Sequence, residues 1–170
     1  MHLEIIDMFK KIIFSVLLIA LVVSCTRDDI CTEETPKTPL LIINFKSKIN
    51  PLLAKEVPDL TVTTIINDEN VDLYKSVTRD SIAIPLNTLA DTSDYLLIRG
   101  NTTNTDGNTD SITFTYQRDN IYINRACAFK TIYKNLITQL EIEENNWINE
   151  IEVNTLIIEN EENTHVTIFH

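Results

Sequence analysis

The chain has 170 residues, a formal net charge of −11 at pH 7 and a pI near 4.6. This length suits one domain with its own hydrophobic core, and the acidity argues against binding of nucleic acid or of anionic lipid head groups through bulk charge. Ile, Thr and Asn are abundant, whereas only two glycines occur. Because β-branched residues favour strands and Asn favours turns, the composition predicts an all-β protein.

The first apolar segment predicts export and lipidation. Two lysines precede a nearly uninterrupted apolar run from Ile12 to Val23. The run is shorter than the about 20 residues that cross a membrane, and it fits the apolar core of an export signal. It ends at Ser24-Cys25, which resembles the lipobox of bacterial lipoprotein precursors, where the cysteine is acylated and becomes the first mature residue. We therefore predict an N-terminal signal helix, removal of residues 1–24 and a lipid on Cys25.

The residues before the lysines do not suit an export signal. Glu4 and Asp7 stand where such signals carry positive charge. A start at Met8 would give a basic N-terminus, so we interpret the true start as Met8.

An acidic leash follows the lipidated cysteine, according to its composition. Residues 25–39 are polar and include two prolines, which favours an extended segment over a regular element. Asp28 and Asp29 resemble the short signals that direct some Gram-negative lipoproteins to the cell surface. Residues 40–170 are then expected to form a single β-domain.

Two cysteines remain once Cys25 is assigned to lipid. In an oxidising envelope Cys31 and Cys127 are expected to form a disulfide. The alternative is two free thiols buried as small apolar side chains. Cys31 lies in polar sequence, which favours the disulfide.

The chain after the leash is dominated by predicted strands. A short helical turn is expected at Leu52–Lys55 after Pro51, and a tight turn at Arg118–Asn120. The segment Thr131–Ile142 also has spacing that fits a helix, but its β-branched and aromatic residues favour a strand. Short predicted strands that follow one another every roughly 8–12 residues, without a long helix, predict an antiparallel β-sandwich or a partly open barrel. The predicted strands are Leu40–Lys46, Leu60–Ile66, Val71–Lys75, Ser81–Leu86, Asp94–Arg99, Ser111–Gln117, Ile121–Arg125, Thr131–Ile142, Trp147–Val153 continued by Thr155–Ile158, and Thr164–Phe169.

A polar loop from Gly100 to Asp110 is the only segment that suggests a metal. Oxygen ligands at alternate positions around Gly107 are typical of a calcium loop. An EF-hand aligned on Gly107 also needs an acid at 102 and a glutamate at 113, but both positions hold Thr. We interpret the segment as a hairpin loop and keep calcium as the alternative, with Asn104, Asp106, Asn108 and Asp110 as its candidate ligands.

Residues that could carry catalysis are sparse. His165 and His170 lie five apart on a predicted strand, so they face opposite sides and cannot share a site there. We expect one at the surface and one at the terminus. No Gly-x-Ser-x-Gly motif surrounds a serine. We predict no enzyme activity and no cofactor. The aromatic residues are expected in the core, with a binding patch as the alternative; these are Tyr116, Tyr122, Tyr133 and Trp147.

Several segments together resemble a family of small cell-envelope lipoproteins from Gram-negative bacteria, known only as a domain of unknown function. The resemblance implies an exported lipoprotein with Cys31 and Cys127 as recurring features, and it implies no activity. The segments that carry it are Asp29–Cys31, Thr38–Leu40 with Phe45, Asp80–Leu86, Arg125–Cys127, Asn145–Ile148 and His165–His170.

Together these features predict a lipoprotein held in the cell envelope through Cys25. We expect it in the outer membrane, on the periplasmic face or at the cell surface. The β-domain is expected to bind or scaffold other envelope proteins, with no nucleic-acid partner. The alternative is an accessory protein that binds an envelope glycan or another ligand, or hydrolyses it.

Overall fold

The computed structural model describes residues 10–11, 13–14, 31–32, 34–66, 69–103 and 106–170. Residues 10–11 and 13–14 are helical, and no helix in the described residues is long and apolar enough to cross a membrane. Cys25 and most of the predicted signal lie outside the described residues. The strands are β1 Leu41–Lys46, β2 Val57–Ile66, β3 Glu69–Arg79, β4 Ser81–Ile84, β5 Thr92–Arg99, β6 Asn108–Asn124, β7 Ala128–Leu140, β8 Glu150–Val153, β9 Ile157–Ile158 and β10 Val166–Phe169.

The strands form two sheets, and this confirms the predicted all-β class. One sheet has the order β4-β1-β10-β8, and the other has the order β3-β2-β5-β6-β7-β9. Strands β1 and β10 run parallel, with Ile43 opposite Val166. The pairs β1–β4, β8–β10, β2–β3, β2–β5, β5–β6 and β7–β9 are antiparallel. The sheets do not close into a barrel, so the fold is consistent with a β-sandwich.

The core lies between the apolar faces of the two sheets. Strand β1 alternates between buried and half-buried residues, and Leu41, Ile43 and Phe45 are fully buried. Leu97 of β5 and Phe114 of β6 join the same core from the other sheet. Each such side chain contributes about 1.5–3 kcal/mol when it leaves water. The period of two in β1 therefore directs alternate side chains into the core.

The chain divides into two compact units. The smaller holds residues up to Thr35 together with Ile123–Ala128, and the larger holds Pro36–Tyr122 with Phe129–His170. Both sheets belong to the larger unit, apart from the ends of β6 and β7 that adjoin their connecting turn.

The predicted turn at Arg118–Asn120 is wrong, because β6 continues from Asn108 to Asn124 without a break. These polar residues find partners outside their own strand. Arg118 Nε lies 2.6 Å from Asp91 Oδ1, and Asp119 Oδ2 lies 2.6 Å from Lys134 Nζ on β7. Ion pairs to the β4–β5 connection and to β7 thus hold residues whose composition alone favours a turn. The strand preference of Thr131–Ile142 is confirmed by β7, and its helical alternative is wrong.

Two further predictions differ from the structure. Leu52–Lys55 forms no helical turn, because a backbone bridge between Lys46 and Ala54 folds this segment back on β1. Thr155–Ile158 does not extend the preceding strand: β8 joins the first sheet and β9 the second. Alternation in sequence does not reveal that a strand changes sheets. The brief pairing expected at Val71–Lys75 becomes the long edge strand β3.

Candidate functional site

A disulfide joins Cys31 to Cys127, with their Cα atoms 5.1 Å apart. Cys127 lies in the turn between β6 and β7. The side-chain oxygen of Asn124 organises this turn by accepting hydrogen bonds from the main-chain N–H groups of Ala126 and Cys127, at 3.0 and 2.8 Å. Asn stabilises such turns because its short side chain mimics a backbone acceptor. The disulfide therefore closes on a turn with local order of its own.

The calcium candidates are not assembled into a site in the described residues. Asn104 lies outside the described residues, and Asp106 is exposed. Asn108 donates its side-chain amide to the Asn145 carbonyl at 2.7 Å. Asp110 is buried, and its Oδ2 accepts the Ile148 N–H at 2.7 Å. No three His, Cys, Asp or Glu side chains among the described residues are placed to hold a metal ion.

Both histidines are buried, so the expectation of a surface His165 is wrong. The ring Nδ1 of His165 accepts the Ile42 main-chain N–H at 2.9 Å, and the main-chain N–H of His165 donates to the Ile42 carbonyl at 3.0 Å. Burial lowers the pKa of His165, while the Asn160 carbonyl and the Glu161 carboxylate act in the opposite direction. The ring thus serves as a neutral acceptor that fastens β1 to the β10 side of the sheet.

His170 is packed as an aromatic side chain. Its ring contacts Phe45 and Trp147 edge to face, with centroids 6.2 and 5.6 Å apart. Burial lowers its pKa, and the nearby charges of Lys55 and Arg99 lower it further, against the raising effect of a hydrogen bond to the Lys55 carbonyl. The rings of His165 and His170 hydrogen-bond to the main chain of Ile42 and Lys55, respectively.

The aromatic binding patch considered from the sequence is wrong for three of its four members. Tyr116, Tyr133 and Trp147 lie in the core, and the Trp147 indole N–H donates to the Leu97 carbonyl at 3.1 Å. Only Tyr122 is exposed, and its ring packs against Phe129.

Three buried tyrosine hydroxyls hold the β4–β5 connector, residues 85–91. Tyr95 donates to the Pro85 carbonyl, Tyr133 donates to the Leu86 carbonyl at 3.0 Å, and Tyr116 donates to the Asn87 carbonyl at 3.0 Å. Burial raises the pKa of all three, that of Tyr133 to about 12. Three successive carbonyls are thus tied to the second sheet, which gives the connector a fixed path. The sequence showed the tyrosines but gave no sign of this shared role.

The connector borders a groove of about 440 Å³ against the end of β2. Ile65 and Leu89 expose apolar surface at its rim. Asp94 is the carboxylate that lines it, and Asp94 Oδ1 accepts a hydrogen bond from Thr113 Oγ1 at 2.6 Å. With this lining the groove can take an apolar or weakly polar group, and Asp94 is the one carboxylate among the described residues that line it.

The β1–β2 loop exposes three large apolar side chains. We call Ile49, Leu52 and Leu53 the loop tip; they are 97%, 90% and 57% exposed. The loop's backbone is ordered by a turn from Asn50 to Leu53, with the Leu53 N–H donating to the Asn50 carbonyl at 3.0 Å. In the sequence, these three apolar residues surround Asn50-Pro51, a pair that favours a turn. The sequence analysis predicted a helical turn there and did not predict an exposed apolar surface.

Comparison with known proteins places the chain in a family. Residues 59–170, more than half of the chain, match the family of unknown function DUF6452. The chain belongs to this family. No curated protein and no solved structure matches it. The match confirms the resemblance to a family of unknown function, while the lipoprotein character and the bacterial class stay predictions.

Proposed function

We propose that this DUF6452 protein is a lipid-anchored protein of the cell envelope whose β-domain binds another envelope protein through the loop tip. The observation that carries the proposal is the exposed apolar surface of Ile49, Leu52 and Leu53 on an ordered loop. Monomeric proteins rarely leave clustered apolar side chains in water unless the surface serves an interaction.

The anchor is supported by sequence and by the disulfide together. Cys25 ends an apolar signal-like run, and Cys31 follows six positions later. Disulfides persist in oxidising compartments such as the bacterial periplasm and the cell surface. Two acyl chains, each contributing about 0.8 kcal/mol per buried CH₂, would hold such a protein stably on a bilayer. Asp28 and Asp29 resemble the short signals that direct some Gram-negative lipoproteins to the cell surface. The proposed location is the outer membrane, on its periplasmic or outer face.

Strand β1 separates the loop tip from the side where the chain enters the domain. Thr38, just before β1, accepts the Thr131 N–H of β7 at 2.9 Å, and Thr131 follows Cys127 closely in the chain. The six residues of β1 span about 20 Å. The loop tip therefore lies at the opposite end of β1 from this contact, and it is presented away from the entry side.

The charges around the loop favour a protein partner over a lipid surface. Lys48 forms an ion pair with Glu150, and Lys55 Nζ donates to the His170 main-chain oxygen at 2.8 Å. Lysines held in this way are less available to the phosphates of lipid head groups. An apolar tip framed by satisfied charges resembles the anchor residues of a protein interface, where a few side chains carry most of the binding energy.

Site-specific crosslinking tests this proposal. A photoreactive amino acid placed at Ile49 should crosslink the lipidated protein to one partner in intact cells. The matched control is the same amino acid at Ile142, which is 91% exposed but lies after the end of β7. The pair Leu52→Ser and Leu53→Ser should reduce crosslinking at position 49 by about tenfold or more, since losing such anchors costs more than about 1 kcal/mol each. Equal yields at positions 49 and 142 would contradict the proposal.

The groove beside the β4–β5 connector supports the alternative of a ligand-binding accessory protein. Its volume of about 440 Å³ lies in the range of small-molecule sites. Chemical shifts of Thr92 and Ser93 should move on titration with soluble envelope glycans if the groove binds them. If these chemical shifts do not move and the loop tip crosslinks to a partner, the protein-binding proposal is supported over the ligand-binding alternative.

A further inference from the structure

An exposed aromatic pair lies beside the turn that carries Cys127. Tyr122 of β6 and Phe129 of β7 are 56% and 62% exposed, and their rings meet edge to face with centroids 5.4 Å apart. We call Tyr122 and Phe129 the aromatic pair. Its surface is separate from the loop tip, which lies on the β1–β2 loop.

We propose that the aromatic pair sits in the head-group region of the membrane that carries the lipid anchor. This inference rests on the proposed lipidation of Cys25. Tyrosine and other aromatic side chains favour this region because they offer an apolar ring and, in tyrosine, a polar end to a zone that is partly wet. The β-domain would then touch the bilayer through its own side chains as well as through lipid.

Covalent links keep the aromatic pair close to the anchor. Six residue intervals separate Cys25 from Cys31, and fully extended they reach at most about 22 Å. The disulfide then adds a Cα–Cα distance of 5.1 Å. Phe129 follows Cys127 by two positions, which adds at most about 7 Å. The Phe129 Cα therefore lies within about 35 Å of the Cys25 Cα, whatever path the leash takes.

Basic side chains lie close to the aromatic pair in the chain. None of the 25 acidic residues of the chain lies between Asn120 and Leu140, whereas four acidic residues flank Cys31, which the disulfide joins to Cys127. Arg125 in the turn is exposed and makes no ion pair within the described part of the chain. Lys130 makes a long contact of 3.4 Å from its Nζ to the Glu159 carbonyl. Both cations can therefore reach phosphate groups, which attract exposed basic side chains over short distances.

Fluorescence quenching by brominated lipid tests the inference. The acylated, full-length mature protein is reconstituted into phosphatidylethanolamine and phosphatidylglycerol vesicles that contain lipids brominated high on the acyl chain. Tryptophan is introduced by Tyr122→Trp or Phe129→Trp, and by Ile142→Trp as control. Strand β7 ends at Leu140, so about 36 Å of strand separates Phe129 from the end that Ile142 follows. The buried Trp147 is common to all variants and supplies the baseline.

We expect the added emission at positions 122 and 129 to fall by about twofold and that at position 142 to stay unchanged, since interfacial rings lie at head-group depth. Emission that brominated lipid leaves unchanged at positions 122 and 129 would overturn the inference and leave the anchor intact. Equal quenching at position 142 would overturn it as well, because the contact would not be specific. Mass spectrometry of each sample reports acylation at Cys25 separately, and an unacylated Cys25 would overturn both proposals.

Discussion

Single hydroxyl groups decide how the β4–β5 connector is held. Tyr95, Tyr116 and Tyr133 each donate to one of three successive carbonyls, and each hydroxyl is buried. A neutral hydroxyl can donate in such a place, whereas a phenolate cannot. Folding therefore favours the protonated form, and burial raises the pKa values accordingly.

The pKa of Tyr133 gives a prediction about alkaline stability. The unfolded chain releases this proton near pH 10, but the folded chain keeps it until about pH 12. The unfolded state thus binds fewer protons in this interval, so the free energy of unfolding falls as pH rises from about 10 to 12, by about 2–3 kcal/mol for this group. Tyr133→Phe should flatten the decline measured by urea unfolding at each pH. Tyr122→Phe, at an exposed position, should leave it unchanged. A decline equally steep in both variants would contradict this account.

At the scale of elements, the two glycines of the β5–β6 loop offer a matched pair. Both have positive φ, 73° at Gly100 and 75° at Gly107. A Cβ at Gly107 would lie 2.8 Å from the Arg99 carbonyl oxygen, whereas a Cβ at Gly100 would meet nothing within 4 Å. The same backbone strain therefore comes with a clash at one position only.

Gly107→Ala should destabilise the protein more than Gly100→Ala. The positive φ alone costs about 1–2 kcal/mol with a Cβ, and the clash with backbone at Gly107 should raise the loss to about 3 kcal/mol. Urea unfolding of the two variants measures the difference. Equal losses would show that the Arg99 carbonyl moves away at little cost.

Strand existence and type were predictable from sequence, but strand ends and sheet membership were not. The β-branched residues of β7 outweighed its helical spacing, as expected for a strand with a buried face. Arg118 and Asp119 looked like a turn because their partners, Asp91 and Lys134, are distant in sequence. The composition of a short segment does not indicate ion-pair partners that are distant in sequence. The same limit hid the role of the three tyrosines, whose acceptors lie 10 to 47 positions away.

At the scale of the whole molecule, the disulfide links the N-terminal segment to a turn 96 positions later. Closing a loop of this length stabilises the folded chain by about 4–5 kcal/mol in the chain-entropy model. It also shortens the leash that follows the proposed anchor to residues 26–30. The cysteine count predicted the disulfide, whereas the contact between Tyr122 and Phe129 beside it was visible only in the structure.

Cys127→Ser should lower the free energy of unfolding by about 4 kcal/mol. Cys31→Ser should cost about the same, and the double variant should cost little more, since one loop is closed by both. Urea unfolding under non-reducing conditions measures all three. Additive losses would contradict a single shared disulfide.

Intact-mass and peptide analysis of the membrane fraction tests whether lipid is attached at Cys25. We expect a mature protein that begins at Cys25 and carries acyl chains, and a Cys25→Ser variant that stays an uncleaved, lipid-free precursor. A mature N-terminus at any other residue, or normal processing of Cys25→Ser, would show that the proposed lipidation is wrong.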